Sequence, residues 1–216
     1  MNQEANLQKA YMEAYNLACG RLLSCDSQTV CLNANAVFSV DANAYAVRYF
    51  GQDCRVSLAG GAVAFEDGAE TLPLTEKVLI LHYLTHARPV PLTGRHISFN
   101  EIPEGGAIYY SNFKKRAVAP LVKTFSENLS GFASAAQSVG GIPERFGDAS
   151  ATVPIFPLVP VTYVIWRGDE EIAPSGTILF DASVTGFLPV EDIVIAASYG
   201  VYRMLGEAKK KAETKT

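Results

Sequence analysis

Positive charge is scarce in this chain. Lysine and arginine number 18 against 22 aspartates and glutamates, which leaves a formal net charge of -4 over 216 residues. Proteins that bind nucleic acids without sequence preference neutralise phosphates with lysine and arginine, so this balance argues against a DNA or RNA partner. The one basic run, Lys209–Lys211, lies in the last turns of a predicted helix, where cations suit the negative end of the helix dipole.

Long apolar runs are also missing. No stretch reaches the roughly 20 apolar residues that a membrane-spanning helix requires. Residues 1–8 are polar, whereas a secretion signal has a charged head followed by an apolar core. We therefore expect a cytoplasmic protein with no membrane partner.

Cysteine is sparse as well, with four residues in the whole chain. Cys19, Cys25 and Cys31 are each separated by five residues, a spacing that matches neither zinc hairpins nor iron–sulfur motifs, and Cys54 stands apart. Four cysteines are too few for a disulfide scaffold of this size, so we expect reduced thiols.

Apolar residues, by contrast, make up 49% of the chain, which is enough to close a hydrophobic core. Apolar positions at three- and four-residue steps predict a helix over 5–23 and a C-terminal helix over 189–211. Short apolar runs between glycine- and aspartate-containing turns predict a strand-rich region over 36–65 and strands over 153–181. The region 74–139 is expected to be helical, and its first helix is apolar nearly all round, which predicts burial on every side.

These helical and extended regions do not alternate regularly along the chain. That order favours an α+β fold, with helices packed on mostly antiparallel sheet, over a parallel α/β fold. We therefore predict a single globular domain over residues 1–216. Within the helical region, Pro120 marks either a kink or the first position of a new helix.

Two histidines form the first candidate site. His82 and His86 are four residues apart on a predicted helix, so both imidazoles lie on one face at a spacing that can chelate a metal. The glutamate that follows the first histidine in zinc proteases is absent. The alternative is that His82 is a core residue with one satisfied nitrogen and that His86 is a cation at the helix end. We assign no metal ligand and no cofactor from the sequence.

An acidic turn beside the single tryptophan forms the second candidate site. Trp166 ends an apolar strand, Asp169 and Glu170 follow it, and Asp181 ends the next strand. Paired carboxylates suit a hard cation or acid–base chemistry, and the indole can stack on a ligand. The competing interpretation is an ordinary solvated turn with the tryptophan as a packing anchor.

A longer series of residues carries a family resemblance over most of the chain, from roughly Ala10 to Leu205. Its most specific piece combines Trp166, the turn Gly168–Glu171 and the segment Leu179–Asp181, and its other members are His82–Leu84, Leu92, Gly94, Ile97–Phe99, Gly106, Tyr109, Phe113, Pro120, Gly140, Gly141, Gly147 and Asp148. This pattern resembles the bacterial and archaeal family named domain of unknown function 3786 (DUF3786). The resemblance implies a shared fold unit and supplies no activity and no catalytic residue.

The same resemblance implies a cellular setting. Some members of the family look like fusions to a small cysteine-rich iron–sulfur module, in anaerobes that handle corrinoid and low-potential redox proteins. The chain carries no such module, because its cysteines have the wrong spacing. An association with iron–sulfur or corrinoid proteins is therefore an expectation that depends on the resemblance alone.

Two main hypotheses of function follow. The first is a noncatalytic binding or accessory domain that recognises a small ligand or a protein partner through a pocket near Trp166, Asp169, Glu170, Asp181 and His82. The second is a metal-assisted hydrolase or lyase that uses Asp169, Glu170, Asp181 and His82. The second hypothesis requires these side chains to converge on one cleft. A third possibility is a structural subunit, which a large exposed apolar patch would favour.

Overall fold

Two antiparallel sheets frame the fold in the computed structural model, which describes residues 2–68, 70–103 and 105–213. The first sheet is a meander in the region predicted to be strand-rich. Its four strands pair in the order β1-β2-β3-β4 and span β1 (Val37–Ser39), β2 (Ala44–Tyr49), β3 (Gln52–Ser57) and β4 (Val63–Phe65).

The turn between β2 and β3 joins the first sheet to the second. Phe50 and Gly51 both adopt positive φ angles, 50° and 74°, as a two-residue turn between twisted strands requires. The backbone N–H of Phe50 then donates to the carbonyl oxygen of Ile155 at 3.0 Å. This hydrogen bond holds the β2–β3 end of the meander against the strand of the other sheet that contains Ile155.

The second sheet has the order β5-β9-β8-β7-β6, and every neighbouring pair is antiparallel. The apolar run that begins the region predicted over 153–181 divides at Pro157 into a hairpin of two strands. The strands span β5 (His96–Ser98), β6 (Ile142–Pro143), β7 (Ala149–Phe156), β8 (Val159–Trp166) and β9 (Ser175–Asp181).

Helices pack on these sheets, which confirms the predicted α+β fold and its single globular unit. They span α1 (Asn2–Leu23), α2 (Ser27–Ala34), α3 (Leu74–His86), α4 (Gly106–Phe113), α5 (Ala119–Phe125), α6 (Leu129–Ser138) and α7 (Val190–Glu213). Within the described part of the chain, none of the helices combines the length and the apolar character needed to cross a bilayer.

The helical region predicted over 74–139 differs from the prediction in two places. Strand β5 interrupts it, because the three residues His96–Ser98 pair with the end of β9 rather than with their own neighbours. A π-helical segment, Lys114–Val118, then leads into α5. Pro120 lies in the first turn of α5, where its missing N–H is not needed.

Helices α3 and α7 lie in the centre of the molecule. Helix α3 is buried on nearly all sides, as its sequence predicts, and residues 78–81 are at most 6% exposed. Helix α7 passes so close to β8 that the hydroxyl of Tyr163 donates to the carbonyl oxygen of Ala197 at 3.0 Å. A side chain at Gly200 would collide with that hydroxyl, because a Cβ atom there would lie 1.8 Å from it.

A buried charged network connects α3 to α7. The carboxylate of Glu76, whose side chain is 4% exposed, accepts hydrogen bonds from the Arg203 guanidinium at 2.7 Å and from the Tyr49 hydroxyl at 2.6 Å. The guanidinium also lies over three aromatic rings, 4.8 Å from the ring centre of Phe50, 5.4 Å from that of Tyr49 and 5.6 Å from that of Phe65. Burial and the neighbouring Glu76 raise the pKa of Tyr49 well above its usual range.

We predict that Arg203→Met lowers the free energy of unfolding by about 3 kcal/mol, because it leaves the Glu76 carboxylate buried without its cation. Adding Glu76→Gln should restore part of this loss, since no buried charge remains unpaired. Urea unfolding of wild type, both single variants and the double variant measures the coupling. A double variant that is destabilised by the sum of the two single changes would contradict a buried ion pair.

Candidate functional site

A histidine–aspartate pair forms where α3 crosses α7. Nδ1 of His82 lies 2.6 Å from Oδ2 of Asp192, and because a carboxylate accepts, the imidazole donates. The Asp192 side chain is 8% exposed, whereas the His82 side chain is 26% exposed. The carboxylate therefore lies beneath the ring, and the ring lies at the surface of the molecule.

The sequence around Asp192 explains its position. Pro189 ends the preceding segment, and α7 begins at Val190, so that Glu191 and Asp192 fall in the first helical turn. Carboxylates are stabilised there by the positive end of the helix dipole. Glu191 points to a different partner, because it accepts a hydrogen bond from the Tyr109 hydroxyl at 2.6 Å. Asp192, the next residue along the turn, instead faces α3 and accepts the hydrogen bond from His82.

His82 lines a cavity of about 310 Å³, which we call the His82 pocket. The end of α1, the segment after it, the second half of α3 and the start of α7 enclose this pocket. Its lining residues are Arg21, Ser24, Cys25, His82, Thr85, His86 and Pro189. Since Nδ1 of His82 is held by Asp192, Nε2 is the ring nitrogen that remains available to a ligand.

In two other cavities the polar groups are already paired with each other. Between α1 and the β3–β4 turn, the Tyr15 hydroxyl donates to the carbonyl oxygen of Gly61, and the surrounding wall is mostly apolar. The cavity beside Arg203 contains the ion pairs to Glu76 and Glu70. The His82 pocket differs, because it presents an oriented imidazole with a nitrogen that no described residue occupies.

The five residues predicted to share a ligand site lie in three separate places. Trp166, Asp169 and Glu170 are together at the end of β8 and in the turn that follows. Asp181 lies at the far end of β9: Trp166 pairs with Ser175, and Asp181 is six residues further along the strand, roughly 20 Å away. His82 lies on α3, outside the sheet. The prediction of one pocket that contains all five residues is therefore corrected, because the register of β8 and β9 separates Asp181 from Trp166.

The acidic turn has a structural explanation. Oδ1 of Asp169 accepts hydrogen bonds from the backbone N–H groups of Glu171 at 2.9 Å and Ile172 at 2.7 Å. These bonds lower the pKa of Asp169 and close the turn. Glu170 is exposed, and Trp166 is 41% exposed beside Gly147. The arrangement is that of a solvated turn with an indole at its edge.

Asp181 organises a loop. Its Oδ1 accepts hydrogen bonds from the backbone N–H and the hydroxyl of both Thr93 and Ser183, and its Oδ2 accepts from the N–H of Gly94 at 2.7 Å. Burial by itself would raise the pKa of Asp181, but the hydrogen bonds from Ser183 and Thr93 outweigh it and lower the pKa to about 2. With five donors around it, this carboxylate ties residues 93–94 to the end of β9.

Among the described residues, no group of three or more histidine, cysteine and acidic side chains is arranged to hold a metal ion. His82 and His86 both line the His82 pocket, but their nitrogens serve different partners. Nε2 of His86 donates to the carbonyl oxygen of Thr185 at 3.3 Å, and Nδ1 of His82 donates to Asp192. Both histidines therefore have one nitrogen engaged by the protein itself.

The sequence reasoning missed Asp192, Arg21 and Cys25 as members of a site. Asp192 carries the one usable signal, because Glu191 and Asp192 form an acidic pair at the start of the predicted C-terminal helix, although carboxylates at that position also suit the helix dipole. Arg21 and Cys25 are more than 50 residues from His82 along the chain. Only the packing of α1 against α3 brings them to the same cavity.

We predict that Asp181→Asn destabilises the fold by about 2 kcal/mol at neutral pH, because the folded-state pKa of about 2 lies below the ordinary value of 3.8. A lowered pKa stabilises the folded state above pH ~4 and loses that effect as the pH falls toward 2. The stability difference between the variant and wild type should therefore shrink over this range in urea unfolding.

Asp169→Asn is the matched control for this experiment, because asparagine also closes this kind of turn and the side chain is exposed. It should cost much less stability at neutral pH than Asp181→Asn, because its two hydrogen bonds lie in an exposed turn. A deficit in Asp181→Asn that stays constant from pH 7 to pH 2 would contradict the assigned hydrogen bonds.

The comparisons with known proteins identify a family and no activity. The family model described as domain of unknown function (DUF3786) matches residues 26–203, most of the chain. No curated protein and no solved structure matches the chain. The match includes α3, α7 as far as residue 203 and both sheets, and so covers His82 and Asp192, whereas Arg21, Ser24 and Cys25 precede it.

Proposed function

This chain belongs to the DUF3786 family, and we propose that it is a noncatalytic accessory domain that binds a small ligand in the His82 pocket. The observation that carries the proposal is the hydrogen bond between Nδ1 of His82 and the buried carboxylate of Asp192. It fixes the ring and its tautomer, so that Nε2 is presented to the cavity in one orientation. Proteins commonly hold a ligand-contacting histidine in this way.

The state of the one thiol in the pocket supports binding rather than turnover. Sγ of Cys25 donates its proton to the carbonyl oxygen of Arg21 at 3.2 Å. A nucleophilic cysteine would instead direct its proton to a base, and the Cys25 proton points to a backbone carbonyl although His82 and His86 line the same pocket. The pocket lining also contains no second carboxylate that would serve as a partner acid or base to His82.

We do not propose the metal-assisted hydrolase or lyase built from Asp169, Glu170, Asp181 and His82. That hypothesis required one cleft, and β9 alone separates two of these residues from a third by about 20 Å. An accessory role beside iron–sulfur or corrinoid proteins remains a prediction from the family resemblance. Corrinoids deserve testing for a physical reason too, since an imidazole backed by a carboxylate has the form of a metal-ligating histidine.

We predict that a panel of nucleotides, divalent metals, corrinoids and small organic acids contains a compound that raises the melting temperature of the protein. His82→Asn should abolish the shift, because asparagine keeps a donor toward Asp192 but removes the nitrogen that faces the pocket. Asp192→Asn should reduce the shift, because the imidazole remains but loses its fixed orientation. Differential scanning fluorimetry measures the melting temperature of the wild type and of both variants, with and without each compound.

Trp166→Phe is the control, since Trp166 lies outside the His82 pocket. It should retain the ligand-induced shift. The proposal would be overturned if no compound stabilised the wild type, or if the shift survived in His82→Asn and disappeared in Trp166→Phe.

A further inference from the structure

The hydrogen bonds inside the His82 pocket show which polar groups a ligand can still use. Three of the lining donors are spent on helix carbonyls: the hydroxyl of Ser24 and the thiol of Cys25 donate to Arg21, at 2.7 and 3.2 Å, and the hydroxyl of Thr85 donates to Leu81 at 2.9 Å. The Nε2–H of His86 is spent on Thr185. The two hydroxyls and the thiol can still accept from a ligand, whereas the Nε2–H of His86 cannot, and none of the four has a proton left to offer.

Two groups remain. The guanidinium of Arg21 makes no hydrogen bond or ion pair with the described residues, and Nε2 of His82 likewise has no partner there. A guanidinium has five donors and no acceptor, and it suits the planar geometry of a carboxylate or the oxygens of a phosphate. Nε2 of His82 also becomes a donor when the ring carries its second proton.

We infer that the His82 pocket takes a ligand through an anionic oxygen group, a carboxylate or a phosphate, held between Arg21 and Nε2 of His82. The inference deepens the proposed function and rests on it. Asp192, the carboxylate that holds His82, is 8% exposed and already accepts from Nδ1, so it does not compete for Arg21. The bound anion thus supplies the negative charge that no described residue gives to Arg21 in this pocket.

Several ionisable groups surround the His82 ring. They are Asp192 on α7, His86 on α3, and Arg21 and Cys25 at the end of α1. An anion binds the imidazolium form of His82 through Nε2–H, whereas the neutral form turns a lone pair toward it. The imidazolium form therefore favours an anion over a neutral ligand of the same shape. Binding should weaken with ionic strength, because Arg21 is exposed.

Matched pairs of anionic and neutral probes test the inference. Succinate and succinamide share a skeleton and differ in charge, and inorganic phosphate distinguishes the second anion class. In a ¹H–¹⁵N NMR titration of the full chain, succinate or phosphate should shift the Arg21 side-chain and His82 resonances saturably, and succinamide should not. Arg21→Gln should weaken binding of the anion roughly tenfold or more.

Arg55→Gln removes a guanidinium from β3, outside the pocket, and should leave the affinity unchanged. Equal binding of succinamide and succinate at the pocket, or an unchanged affinity in Arg21→Gln, would overturn the anionic assignment while leaving the pocket and the proposed function intact. Resonance shifts confined to other surfaces, with every probe in the panel failing at His82, would overturn both.

Discussion

A helix that is buried on nearly every side cannot leave a polar side chain without a partner, and this constraint on α3 shapes the rest of the structure. Burying an unpaired charge costs several kcal/mol, so Glu76 and His82 on α3 each need a counterpart. Helix α7 supplies both: Arg203 for Glu76 and Asp192 for His82. The two contacts lie near opposite ends of α3 and fix how α7 crosses it. The close approach of α7 to β8 at Gly200 completes the arrangement.

The two contacts between α3 and α7 have different consequences because they differ in what surrounds them. Around Glu76, the guanidinium of Arg203, the hydroxyl of Tyr49 and three aromatic faces contact one another, so the charges beside that cavity are already paired and serve stability. Around His82, the same kind of contact borders a cavity, and only one side of the imidazole is held. The ion pair between Glu76 and Arg203 therefore stabilises the core. The hydrogen bond between His82 and Asp192, further along α3, instead orients a ring that can bind a ligand.

Most of the fold could be predicted from how apolar residues are spaced along the sequence. Apolar spacing alone predicted α1 and α7, the all-round burial of α3 and the meander, because each of these depends on residues close in sequence. It missed β5, whose three residues become a strand only by pairing with β9. The site depended still more on distant contacts. Asp169 and Asp181 seemed to belong together until the register of β8 and β9 set them at opposite ends of a strand, and Arg21 meets His82 only through helix packing.

The orientation of the His82 imidazole is the central claim, and ¹⁵N NMR of the ring tests it most directly. Two-bond ¹H–¹⁵N correlations distinguish the two neutral tautomers of the ring. Donation to Asp192 predicts a protonated Nδ1 and an unprotonated Nε2. A ring that carries its proton on Nε2, or that interconverts freely between both tautomers, would contradict the hydrogen bond to Asp192 and, with it, the assignment of the pocket.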